Sequence, residues 1–207
     1  MKKLLSTKAV GILALGLMLS AGVLFAGAPL DAIRDSNEKV KEVLNANAGN
    51  KLDDATEKKL RAIIEPATDF SAMSDAVLTV FPADTTPAQR AAFKKAFEEL
   101  LLLSSVKKMG RYNADNFEYG GEKAAGANVT VSTTAIYSKK NGGTERIALD
   151  YTLTQKDGRW VIINYFTDGT STIRNYQGQF KKIVSAKGVA AAIRQVEQTV
   201  AQYRISD

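Results

Sequence analysis

The sequence predicts an α+β fold: a small twisted antiparallel sheet of about four strands packed against a layer of helices, with an apolar pocket between. Two changes of hydrophobic period carry that reading. From Pro29 to about Met109 apolar residues recur at helical spacing, from Phe117 to Thr167 they alternate, and from about Thr170 helical spacing returns. The third observation is a pair of hairpin signals, Asn141-Gly142-Gly143 and Asp157-Gly158, which join consecutive strands as antiparallel neighbours.

Each element has its own signal. Ile33, Asn37, Val40 and Leu44 share one helical face, and Gly49-Asn50 ends that helix. Asp53 or Asp54 can cap the next, which carries Leu60, Ile63 and Ile64 and is expected to stop at Pro66. A short apolar segment from Phe70 to Phe81 is closed by Pro82. Thr86, Pro87 and Gln89 then form a capping-box start, with proline at the first helical position. The long helix that follows presents Phe93, Phe97, Leu100 and Leu101 before Gly110, and its run Leu100-Leu101-Leu102-Leu103 requires burial on more than one side. Strands are expected around Val129–Ile136, Ile147–Thr154 and from Trp160, with another near Arg111–Tyr119. A helix with Ile173, Tyr176, Phe180 and Val184 on one face comes next. Gly188 separates it from a last helix carrying Val189, Ile193, Val196 and Val200.

The first 28 residues read as a secretory signal peptide, leaving residues 29–207 as a single domain. Lys2, Lys3 and Lys8 precede an uncharged run from Ala9 to Phe25, and small residues cluster at Ser20-Ala21-Gly22 and Ala26-Gly27-Ala28. Cleavage after Gly22 or after Ala28 fits, and the stretch from Ala9 to Ala28 is also just long enough to span a bilayer core of about 30 Å as an uncleaved anchor. The chain holds 28 Lys and Arg against 22 Asp and Glu, a net charge of +6, of which the leader supplies three lysines and no acid. Its lysines alternate with acids rather than forming a stripe, so nucleic acid is not an expected partner.

No Cys and no His occur. That excludes disulfides, thiol catalysis, histidine bases, Ser-His-Asp triads and His or Cys metal sites, and no cofactor is expected. Asp53-Asp54 and Glu98-Glu99 are adjacent pairs that diverge on a helix. Asp150 and Asp168 are the better placed carboxylates. Either could work with a tyrosine as in cone-shaped α+β isomerases, although Asp150 alternates with Leu149 and Tyr151 and so faces away from them.

A set of motifs narrows these options. Thr86-Pro87-Ala88-Gln89-Arg90-Ala91-Ala92-Phe93, continuing to Phe97 and Leu100, resembles the TPxQRxxFxxxFxxxL signature of the MlaC family. Asp157-Gly158-Arg159-Trp160-Val161, Asp168-Gly169-Thr170-Ser171 and Asn175-Tyr176-Gln177-Gly178-Gln179-Phe180 resemble its later motifs in order and spacing. Gln177 stands where the family usually has Arg, Asn164 where it has Asp, and Ser104-Ser105 where a Tyr is frequent. Val77-Leu78-Thr79-Val80-Phe81-Pro82 also departs from the usual pattern. The resemblance implies a periplasmic phospholipid carrier, of a family also known as toluene-tolerance proteins and auxiliary components of ABC transport. Such a carrier is not an enzyme. It holds lipid tails between sheet and helices, and moves as a monomer between an outer-membrane lipoprotein complex and an inner-membrane ABC transporter complex that maintain outer-membrane lipid asymmetry.

With that function, the expected pocket is lined by Phe93, Phe97, Leu100 and Leu101 from the long helix and by Val129, Val131, Leu149, Tyr151 and Leu153 from the sheet. Trp160, Ile162, Phe180 and Val184 close it. Arg111, Arg146 and Arg174 are the candidates to meet a head-group phosphate at its mouth.

Overall fold

Helices, then strands, then helices follow one another in the expected order; the computed structural model describes residues 28–48, 51–111, 113–139 and 142–205. The leader, the Gly49-Asn50 stop and Asn141 of the first hairpin turn lie outside the described residues.

Helix α1, Pro29–Ala46, starts on a proline whose missing N–H would be unpaired there in any case. Ala28 offers no side-chain cap; instead the Glu122 carboxylate, from a distant strand, accepts the Leu30 N–H at 2.7 Å. Helix α2, Asp54–Ala67, is capped by Asp53, which accepts the Thr56 N–H at 2.7 Å. It continues one residue past Pro66, because a proline this near the end removes just one late hydrogen bond. Helix α3, Phe70–Leu78, is capped by Asp69 through the Ala72 N–H at 2.9 Å.

Helix α4, Pro87–Arg111, opens with the reciprocal bonds its sequence signals: Gln89 N–H to Thr86 Oγ1 at 3.2 Å, and Thr86 N–H to Gln89 Oε1 at 3.0 Å. Replacing Thr86 by Ala is expected to cost about 1 kcal/mol, read as a lower urea midpoint with an unchanged slope. Leu100, Leu101, Leu102 and Leu103 are all buried, since α4 packs against α2, α3 and α6.

The sheet is an antiparallel meander in the order β1-β2-β3-β4-β5, comprising β1 Asn116–Ala125, β2 Asn128–Ser138, β3 Thr144–Lys156, β4 Arg159–Thr167 and β5 Thr170–Ser171. Asp157 and Gly158 turn β3 into β4 with φ of 51° and 73°. Asp168 and Gly169 repeat that turn with φ of 47° and 76°, adding the two-residue fifth strand that the hydrophobic alternation is too short to reveal. Strand β1 begins later than the Arg111–Tyr119 estimate, because α4 runs on to Arg111 and Gly120-Gly121 forms a bulge within the strand rather than ending it. Helix α5, Thr172–Lys187, is capped by Ser171, and Gly188 at φ 78° separates it from α6, Val189–Ile205.

Cross-strand register defines the inner face. Val131 lies opposite Tyr151, which lies opposite Tyr165; Thr133, Leu149 and Thr167 form the next row, and Ala135 and Ile147 the one after. The buried apolar residues fall into two clusters. One joins α2 to α6 around Phe93, Phe97, Leu101 and Phe180. A smaller one joins Ile33 of α1 to Val131 and Leu153 of the sheet. Space remains where these two clusters do not merge.

Candidate functional site

The unfilled seam is a cavity of about 380 Å³. Its floor is the sheet's inner face, with Ile147, Leu149, Tyr151, Ile162 and Tyr165, and Tyr137 and Thr167 at the ends of their strands. Ile64, Thr68 and Phe70, from the end of α2 and the start of α3, form one wall; Ser105, Lys108 and Met109, from the last turns of α4, form the other. The α2–α3 junction is held against the sheet by its backbone. Thr68 bridges to Ile162 in parallel fashion, and the Asp69 N–H donates to the Ile162 carbonyl at 2.8 Å.

A second hollow of about 510 Å³ lies beyond Ile162, which borders both. Ile33 of α1, Ala62, Ile63 and Pro66 of α2, and Leu153 and Trp160 of the sheet face it. Its rim is mixed in charge, with Asp31, Asp35, Lys39 and Arg159.

The structure divides the sequence-predicted lining residues into two groups. Leu149, Tyr151 and Ile162 face the smaller cavity, while Leu153, Trp160 and Ile162 face the larger. Val131 is fully buried on the same inner face, and half-buried Val129 is paired with Leu153. By contrast, Phe93, Phe97, Leu100, Leu101, Phe180 and Val184 belong to the helical core and line neither hollow. Phe97 stacks on Phe93 at 5.2 Å between ring centres and meets Tyr176 and Phe180 edge-on at 4.8 and 5.6 Å. The cause is the length of α4: its first turns pack among helices, and its last turns alone reach the sheet. Ile147 was legible from strand alternation; Tyr165 was not, because it lies three residues from Ile162 and shares its face only through the register shift opposite Thr152 and Leu153, and Ile64, Phe70 and Met109 carry no signal distinguishing a cavity wall from core.

Two of the expected head-group arginines stand away from the cavity. Arg146 is on the outer face, in a two-point ion pair with Glu118, 2.9 Å at one contact. Arg174 is exposed on the first turn of α5, and the Arg111 side chain lies outside the described residues. The two departures from the family pattern are structural. Asn164 accepts the Ile173 N–H at 3.3 Å and donates to Ser171 at 3.0 Å, assisting the α5 cap. Gln177 donates to the Ala76 carbonyl at 2.9 Å and to Thr79 at 3.2 Å, tying α5 to α3.

The polar groups of the smaller cavity are phenols and hydroxyls. Burial pushes the Tyr151 phenol well above its ordinary range, against the opposing effect of a hydrogen bond with Thr133. Burial raises Tyr165 too, although it bonds with Ser105, Ser104 and Thr172. Tyr176 nearby is pushed up to about 12 by burial. All three stay neutral at physiological pH. Among the described residues, no carboxylate lines this cavity. Asp150 pairs with Ser132 and Phe166 on the outward-facing rows, and Asp168 is a turn residue whose carboxylate accepts the Ala148 N–H at 3.0 Å. Burial holds Glu98 above the usual carboxylate range, but it sits on α4 among Lys94, Asp75 and Asp69, away from the cavity. The acid–tyrosine pairing that an isomerase would need is therefore not assembled in this cavity.

One ion pair braces the cavity wall. Lys156 of β3 meets Asp69 at 2.6 Å. Partial burial raises the Asp69 carboxyl, but Lys156 and the Ala72 N–H outweigh that and hold it below its ordinary value. A depressed folded-state value contributes stability above the unfolded carboxylate value of about 4, and this is lost as pH falls through the folded value. The stability advantage over an Asp69→Asn variant is therefore expected to be full at pH 6 and to shrink below about pH 4, in urea titrations at each pH.

Comparison with known proteins fits this geometry. A phospholipid-binding protein from Ralstonia solanacearum, solved in complex with a phospholipid, matches over 86% of this chain and 99% of its own, with 20% identity and a TM-score of 0.69. Its likeness establishes the shared fold. An iota-carbonic anhydrase from a cyanobacterium, solved with bicarbonate, matches over 67% of this chain and 87% of its own, with 17% identity and a TM-score of 0.40. The sequence model of the MlaC protein matches residues 34–198, four-fifths of the sequence. With that match the chain belongs to the MlaC family.

Proposed function

We propose that this protein is a periplasmic lipid carrier, not an enzyme, which holds the acyl chains of a phospholipid between sheet and helices. The observation that carries the reading is the apolar cavity at the seam of the two core clusters, lined by neutral phenols and, among the described residues, by no carboxylate. The phospholipid complex of the structurally similar Ralstonia solanacearum protein supports it. The second hollow, separated at Ile162, gives room for a second chain once that side chain and its neighbours shift.

The magnitudes require enclosure. Two chains of about sixteen carbons, at about 0.8 kcal/mol per CH₂, represent over ~20 kcal/mol of transfer from water. Burial on that scale lets a lipid cross an aqueous space. It also means that release needs a membrane partner with higher affinity for an emptied or opened form. Family membership supports an inner-membrane ABC transporter complex and an outer-membrane lipoprotein complex as those partners, with the leader directing export to the periplasm.

The test is uptake. Delipidated protein, incubated with phospholipid vesicles and separated from them, is expected to carry close to one diacyl lipid per chain. Protein that remains folded and lipid-free contradicts the reading.

A further inference from the structure

We propose that Lys108 is the anion-binding residue of the smaller cavity and that it meets the phosphate of a phospholipid whose tails lie beneath it; the inference rests on the carrier reading above. Lys108 is the one charged side chain among the described residues that line this cavity. It is exposed, while the floor that faces it carries half-buried Leu149 and Tyr151. Among the described residues it makes no ion pair or hydrogen bond, so its ammonium is available to a ligand.

The other candidate cations stand elsewhere. Arg146 is neutralised by Glu118 on the far face of the sheet. Lys39 and Arg159 line the other hollow, together with Asp31 and Asp35. Glu145, the cross-strand partner of Tyr137, does not line the cavity. Lys108 also sits in the last turns of α4, whose end presents carbonyl groups rather than N–H groups. A helix C-terminus repels an anion, so phosphate recognition here depends on the lysine itself. The arrangement is that of an amphiphile: a cation at the edge, hydroxyls of Ser105 and Tyr137 beside it, and an apolar floor of Ile147, Leu149 and Ile162.

The test compares two ligands with identical tails, dipalmitoyl phosphatidylglycerol and dipalmitoylglycerol, presented in equal amounts to the delipidated full chain. Bound lipid is quantified by mass spectrometry. Wild-type protein is expected to favour the phospholipid about tenfold, Lys108→Gln to reduce the preference to within about twofold with dipalmitoylglycerol uptake unchanged, and Lys108→Arg to restore it. Inorganic phosphate at millimolar concentration is expected to leave the preference intact, since the tails supply most of the affinity; displacement by free phosphate overturns the lipid assignment. An undiminished preference in Lys108→Gln overturns the role of Lys108 while leaving the carrier intact. Failure of the wild type to bind either ligand overturns both.

Discussion

Leu149→Glu is expected to empty the protein of lipid while leaving it folded. Leu149 is half-buried on the sheet's inner face and borders the cavity rather than the packed core. In the lipid-free protein a carboxylate there keeps access to water through the cavity, so folding is only mildly affected. With acyl chains present, the same carboxylate must lose that water, while Lys108, the one cation among the described residues that line the space, is taken by the lipid phosphate. Stranding an unpaired charge against hydrocarbon costs several kcal/mol, about 3 or more, which corresponds to at least ~100-fold weaker retention. Bound phospholipid per folded chain measures it, with circular dichroism reporting the fold. Leu149→Met, which keeps the volume and the apolar character, is expected to retain lipid.

Phe97→Ala is expected to do the opposite: a large loss of stability with lipid stoichiometry preserved in the molecules that remain folded. Phe97 is fully buried and packs against Phe93, Tyr176 and Phe180, bridging α4 and α5. Truncating a buried phenylalanine costs about 3–5 kcal/mol, through lost transfer energy and an unfilled void. For a domain of this size that lowers the melting temperature by roughly 6–20 °C. Scanning calorimetry gives the stability, and lipid extraction from the folded fraction gives the occupancy. The two substitutions together separate core from cavity, two environments that hydrophobicity alone does not distinguish.

That ambiguity explains what the sequence could and could not convey. The capping box at Thr86 and Gln89, the Asp157-Gly158 turn and the strand alternation are local signals, and each appears in the structure where it was expected. Strand periodicity also placed Leu149 and Tyr151 on one face, and both border the cavity. The helical side was harder to read. Phe93, Phe97 and Phe180 are as apolar as Ile64, Phe70 and Met109, and all six pack in or against the helical core, yet only the last three also border the cavity. The difference lies in where α4 ends and where the α2–α3 junction meets the sheet, both long-range properties. The Glu122 contact at the start of α1 is of the same kind, since 92 residues separate its partners. Asp168 shows the reverse: its Asp-Gly signal was present, but a two-residue strand after it left no alternation to accompany it.

The carrier account is tested most directly by the protein's own cargo. The protein, expressed from its whole sequence, purified without detergent and extracted with organic solvent, is expected to yield close to one diacyl phospholipid per chain by mass spectrometry. Folded protein that releases no stoichiometric lipid would contradict it.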